Sequence, residues 1–173
     1  VTVPAEKGDA RNLTQTTAAH ERSPAWSPDG MQVAYFSDEG GEYGLRIMSQ
    51  DGKGEPRTIK LDGHGFYDQL AWSPDSKKVS YSDNSQSLFW MDVATGKSTR
   101  IGGHRVYTPN GLPRHAWSPD SKWIAYVVNL QPLVTAVHLY SIEQNRSHQV
   151  TDGLGDVTDP VFDRNGKYLY FFG

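Results

Sequence analysis

The sequence predicts an all-β chain, a radial array of four-stranded antiparallel blades, and three observations predict it. A seven-residue phrase recurs: "PAWSPDG" at 24–30, "LAWSPDS" at 70–76 and "HAWSPDS" at 115–121, with a degraded copy "PVFDRNG" at 160–166. The spacing is regular: Trp26 to Trp72 is 46 residues, Trp72 to Trp117 is 45, and Trp117 to Phe162 is 45. Each phrase is followed by runs rich in β-branched and aromatic residues, bounded by Gly, Pro, Asp and Ser clusters, and no segment holds apolar residues at helical spacing. A period near 45 with strand-like content marks propeller blades.

Each unit divides into strands A to D. Strand A is the short stretch that ends in the Trp. The Pro-Asp pair that follows suits a type I turn, Pro for its fixed φ and Asp for its bond to the local backbone, so the phrase is an A-to-B hairpin turn. Strand B comes next, at 31–37, 77–82, 122–128 and 167–172, then strand C at 43–49, 87–93 and 136–142, then a weaker strand D at 55–61, 97–102 and 148–152. Three complete blades are expected at about 20–62, 66–102 and 111–153. Because every unit uses the same residues there, Trp26, Trp72 and Trp117 are assigned to packing between blades, and Asp29, Asp75 and Asp120 to turn chemistry.

The ends carry half a blade each. Residues 159–173 supply strands A and B, while 1–16 aligns with the end of strand C and all of strand D. The expectation is one partial β-propeller domain over 1–173, with a composite blade made of 1–16 and 159–173. The apolar run Tyr168–Phe172 is then an edge that must be paired. Most propellers of this repeat type resemble six- to eight-bladed rings, so closure between two copies, a homodimer of about eight blades, is expected over closure within one chain.

Composition sets outer bounds. The chain has 173 residues, 36% hydrophobic and 12% aromatic, enough for a core. Net charge is −3 with no basic run, which argues against a nucleic-acid partner. No Cys is present, so the chain supplies no disulfide and no thiol chemistry. No 18-residue apolar stretch exists to cross a membrane as a helix, and no signal peptide is visible. A Cys-free chain suits the bacterial cytoplasm or the periplasm equally. The first residue is Val, and "VTVPAEKGDARNLTQTT" reads as the middle of a phrase, as in a piece of a longer protein.

The phrase "AWSPDG" followed by a β-run resembles TolB-like propeller repeats. The longer stretches "VTVPAEKGDARNLT", "ERSPAWSPDGMQVAYFSDEGGEYGL" and "VTDPVFDRNGKYLYFFG" resemble the propeller region of tricorn-type serine peptidases, over essentially the whole chain. In that family propellers precede a PDZ domain and a separate peptidase domain. The resemblance implies a non-catalytic scaffold that admits, filters or releases peptides. A stand-alone TolB-like protein-binding propeller and a small metal-dependent propeller enzyme are the alternatives.

The residues themselves show no G-x-S-x-G, no H-E-x-x-H, no EF-hand pattern and no phosphate loop, so no catalytic constellation, metal site or cofactor is assigned. The residues used once are more informative. The D-to-A connectors vary between units and share a face of the disc with the B-to-C connectors. They carry His20, His64, Tyr67, His104, Arg105, Tyr107, Arg114 and His115. All but His20 are candidates for binding a peptide or protein partner, because variable loops on a rigid scaffold are where binding concentrates. Asp68 and Asp159, just before strand A, are expected to cap backbone amides.

Overall fold

The computed structural model describes residues 1–3, 7–61, 65–107 and 111–173, and it is all-β. Blade 1 is β1 (Glu21–Trp26), β2 (Gln32–Ser37), β3 (Gly44–Ser49) and β4 (Arg57–Lys60). Blade 2 is β5 (Tyr67–Trp72), β6 (Lys78–Asp83), β7 (Ser87–Asp92) and β8 (Ser98–Gly103). Blade 3 is β9 (His115–Trp117), β10 (Trp123–Gln131), β11 (Val134–Ser141) and β12 (Arg146–Gln149). Each is an antiparallel meander in sequence order, and a final pair, β13 (Thr158–Phe162) and β14 (Leu169–Phe172), forms a half-blade. The A strands form the narrow side of the fan: β1 packs beside β5, and β9 beside β13.

Strand A is longer than the sequence indicated. Glu21, Tyr67 and Thr158 already lie in strands, because each strand bends through a bulge and resumes. The register shifts between Arg22 and Ala25, Asp68 and Ala71, and Thr158 and Val161. At each bulge one residue sits in the left-handed region: Ser23, Gln69 and Asp159, with φ of 51°, 54° and 51°. Blade 3 departs from this. Its β9 is three residues with an unshifted register, whereas β10 and β11 run to nine and eight residues and stand proud of the other blades' six.

The core lies between blades. Phe36, Leu45, Ile47 and Ile59 of blade 1 meet Tyr67, Trp72, Val79 and Tyr81 of blade 2. Leu88 and Trp90 of blade 2 meet Ile124, Tyr126 and Tyr140 of blade 3. Tyr67, assigned above to a binding loop, is therefore a core residue, 2% exposed. Its ring lies 5.6 Å from that of Phe36 and 5.8 Å from that of Tyr81, because it opens β5 on the side that faces blade 1.

The repeated phrase is a hydrogen-bonded unit. Ser27, Ser73 and Ser118 each donate to the Asp two residues on, at 2.6 Å in all three turns. The same hydroxyls accept the amides of Gln32, Lys78 and Trp123, each at 2.9 Å. In the fourth copy Asp163 stands at the Ser position, and its carboxylate accepts the Tyr168 amide at 2.7 Å. The degraded phrase thus keeps the acceptor that defines the turn.

The chain's first residues repeat the outer half of a blade. Thr2 and Arg11 pair antiparallel, as Ile47 and Arg57 do in blade 1. Leu13 packs on Val33, Tyr35 and Met48 of blade 1, much as Ile59 packs on blade 2. Trp26 stays 49% exposed where Trp72 is 7% exposed. Among the described residues β14 pairs with β13 alone, and Phe172 is 73% exposed.

Candidate functional site

Two places depart from the repeat, and both lie at blade 3. The first is the inner seam between blades 2 and 3. At the seam between blades 1 and 2, the Trp72 indole N–H donates to the Ala25 carbonyl at 3.0 Å. At the next seam the Trp117 N–H donates instead to Ser80 Oγ at 2.8 Å. Ser80 occupies the position held by Ala34 in blade 1 and Ala125 in blade 3, and the ring of His115 meets its hydroxyl at 2.8 Å through Nε2. His115 in turn stands where the other units carry Pro24, Leu70 and Pro160.

The protons of this cluster follow from its partners. His115 Nδ1 lies 3.2 Å from the Pro113 carbonyl, which only accepts, so Nδ1 carries the hydrogen. Nε2 is then the acceptor and Ser80 the donor, while the Trp117 N–H donates to a lone pair of the Ser80 oxygen. Burial pushes the His115 pKa down to about 4, against the bond to Pro113 that favours the charged ring. A serine donating to a neutral imidazole has the connectivity of a nucleophile and its base. Here the serine is fully buried and its oxygen already holds an indole N–H, so the pair acts as a clamp between blades.

The second departure is a cleft of about 500 Å³ on the face that carries the D-to-A connectors. The tall β10–β11 hairpin forms one wall through Asn129 and Thr135. The chain before β9 contributes His104, Leu112 and Arg114, and the chain entering β13 contributes Asp156 to Thr158. The short β9 leaves the cleft open, since Arg114 stands where Ser23, Gln69 and Asp159 form bulges in the other units.

His104 accepts the Asn129 amide through Nδ1 at 3.0 Å, and burial lowers its pKa. Its hydrogen therefore sits on Nε2, and the neutral ring is a fixed donor. Thr135 binds the opposite wall, its hydroxyl donating to the Val157 carbonyl at 2.7 Å, with Asp156 Oδ1 an alternative acceptor at 3.1 Å. Arg114 approaches Asp159 Oδ1 through Nε at 3.9 Å, beyond hydrogen-bond distance, and both side chains are more than half exposed. Arg114 also lines a smaller recess of about 240 Å³ with Gln69, Leu70, Ala71 and His115, so it stands between two hollows.

Of the residues singled out in the sequence, His104 and Arg114 meet in this cleft and His115 flanks it. Arg105 and Tyr107 are exposed on the connector. His64 lies outside the described residues. Asp68 does cap an amide, that of Gln69 at 2.7 Å, and also holds Ser23 at 2.6 Å and Arg22 at 3.1 Å. Burial raises its pKa, yet those bonds and the Arg22 cation outweigh it and leave the pKa lowered. Asp159 instead accepts from the neighbouring Thr158 hydroxyl at 3.0 Å. Among the described residues no group of three or more His, Asp or Glu is arranged to hold a metal ion. His20 is occupied by Tyr43, at 2.5 Å.

Sequence reasoning missed Ser80 and Asn129. Both stand inside predicted or extended strands, and the signal for Ser80 was its being the one serine at a position filled by alanine in the neighbouring units.

A family profile described as "Tricorn protease second beta propeller domain" matches residues 1–173. "Uncharacterized peptidase YuxL" of Bacillus subtilis (strain 168) is 28% identical over 149 residues, which is 86% of this chain and 21% of that protein. The chain thus spans about a fifth of that relative's length. Among solved structures, the tricorn protease aligns with a TM-score of 0.69 at 21% identity, over 82% of this chain and 14% of that one. TolB from Acinetobacter baumannii aligns with a TM-score of 0.59 at 19% identity, over 88% of this chain and 37% of that one.

Proposed function

This chain belongs to the family of tricorn protease second beta propeller domains, and from that premise we propose that it gates or guides peptides for a serine peptidase while doing no chemistry itself. It is a propeller part of a peptidase-like protein. The observation that carries the peptide reading is the gathering of single-use polar side chains on one face, around the cleft that β9 leaves open, while the opposite turns stay uniform. Short extended peptides fit such a cleft, since its walls mix fixed donors and acceptors with apolar surface.

Catalytic silence rests on the state of the serine–histidine pair found among the described residues: Ser80 is buried and bonded on both sides. Purified chain incubated with peptides is expected to give saturable binding by fluorescence anisotropy and no turnover. Cleavage that survives repurification and disappears in Ser80→Ala or His115→Gln would overturn the silent reading. Absence of saturable peptide binding would overturn the gating reading and favour a protein-binding propeller of the TolB kind.

The open edge of β14 supports a further element of this reading, a homodimer. The Thr2–Arg11 bridge and the seat of Leu13 on blade 1 are consistent with outer strands of a blade, and β13–β14 form an inner pair, which supports two copies completing each other's blade. Light scattering coupled to size exclusion is expected to give the mass of two chains, and the mass of one chain at micromolar concentration removes the dimer.

A further inference from the structure

We propose that Arg114 is the specificity-determining residue of the blade 3 cleft and that it grips the α-carboxylate at the C-terminus of a bound peptide. This rests on the peptide-binding reading above and adds which end of the peptide is read.

Four observations carry it. First, Arg114 stands at the boundary of two hollows, of about 500 Å³ and about 240 Å³, so a group bound to it has room for a chain on one side and a terminal side chain on the other. Second, its guanidinium is incompletely used. Asp159 lies at 3.9 Å on the Nε side, which leaves the end-on edge with its two Nη groups for a planar bidentate acceptor. A carboxylate matches that fork, whereas a single carbonyl uses half of it. Third, His104 adds a neutral donor whose tautomer is fixed by the Asn129 amide, so the cleft offers an anion a second N–H without a second charge. Fourth, Asp159 accepts the Thr158 hydroxyl at 3.0 Å and faces the Arg114 cation, so this carboxylate serves a peptide ammonium less readily than Arg114 serves a carboxylate.

Asp159 has a defined place in this scheme. It holds Arg114 loosely and competes with the incoming carboxylate. Its left-handed backbone, φ 51°, is one that Asn also tolerates, so Asp159→Asn removes the charge and keeps the bulge.

The test uses the full chain and three labelled tripeptides of one sequence, Ala-Ala-Phe: acetylated with a free carboxylate, acetylated and amidated, and amidated with a free amine. Fluorescence anisotropy is expected to show the free carboxylate binding at least about tenfold more tightly than either amide, the size of a charge-assisted bidentate bond. Arg114→Gln is expected to erase that preference, and Asp159→Asn to tighten the free acid by roughly threefold while leaving the doubly blocked peptide unchanged. Equal binding of all three peptides overturns the role of Arg114 and leaves the peptide-binding reading standing. Tighter binding of the free amine, weakened by Asp159→Asn, assigns the cleft to the other terminus and overturns it. Binding of none removes the peptide reading itself. Thermal unfolding of both variants, at exposed positions, is expected to match the parent chain and so separates lost recognition from lost fold.

Discussion

The seam between blades 1 and 2 and the seam between blades 2 and 3 share one plan and differ in their side-chain ties: at the first, Asp68 of blade 2 holds Arg22 and Ser23 of blade 1, and at the second the Ser80–His115 pair receives Trp117. Both are hooked at the turns: Ser76 Oγ accepts the Asp29 amide at 3.1 Å, and Ser121 Oγ accepts the Asp75 amide at 3.0 Å. Both seat a Trp, Trp72 buried and Trp117 partly buried, whose N–H crosses to the previous blade. The difference is what receives it, a backbone carbonyl at the first seam and the Ser80–His115 pair at the second. A carbonyl is present whatever the sequence, so the indole bond at the first seam asks nothing of a partner side chain. The indole bond at the second depends on three side chains that must all be kept, and it brings a titrating ring, His115, into the seam. The third seam, to the half-blade, has neither device: Phe162 lacks an N–H, and Gly166 lacks the hydroxyl of Ser76 and Ser121.

The largest effect expected from this comparison is at Trp72. Trp72→Ala removes a buried indole from the first seam and should cost about 3–5 kcal/mol in urea unfolding. Trp26→Ala, at the same repeat position but 49% exposed in the single chain, should cost the monomer about 1 kcal/mol or less. Similar losses at the two positions would mean that blade contact does not set the value of this Trp.

Next in size is Ser80→Ala. It strands the Trp117 N–H and the His115 acceptor in a buried layer, and a loss of about 1–3 kcal/mol is expected. The matched change at the first seam, Ala34→Ser, faces no such partners, so a gain there would contradict the account.

The third prediction concerns acid. An unfolded chain protonates this ring below about pH 6.5, whereas in the folded chain His115 binds the proton only below about 4. Between those values the unfolded state holds more protons, so stability falls as pH falls through that interval. His104, partly buried, and His138, buried, are also lowered by burial and act in the same direction below pH 6.5. His115→Gln is expected to flatten part of the slope between pH 6.5 and 4, measured by chemical denaturation at stepped pH. The turn carboxylates Asp29, Asp75 and Asp120 are held below their ordinary value, chiefly by their Ser partners in Asp29 and Asp120 and against burial in Asp75. Their stabilisation is lost at still lower pH, which keeps the two windows apart. An unchanged slope in His115→Gln would show that this ring does not titrate with folding.

The smallest effect is at the turn hook. Ser121→Gly loses the bond to Asp75 but relieves a left-handed residue with φ of 60°, and the opposed terms should leave the change within about 1 kcal/mol. A large loss would make the hook, and not the indole, the main tie at that seam.

The repeat period, the turn chemistry and the alternation of apolar residues were all written locally, so the sequence by itself determined the blades, their order and the packing role of Trp72. The Ser-Pro-Asp turn closes on its own neighbours, and a strand's faces follow from a period of two, so neither needs distant information. The strand A bulges were invisible because Ser23, Gln69 and Asp159 are unlike residues that share only a backbone conformation. Tyr67 was misplaced for a related reason: a connector aromatic looks exposed until the bulge extends β5 and turns it into the first seam. The meeting of Ser80 with His115, 35 residues apart, and of His104, Arg114 and Asp156 around one cleft, belongs to tertiary structure alone. Which side chains face each other across a seam is set by how far one blade rotates against the next. That rotation is fixed by the packing of both cores at once, and no single segment encodes it.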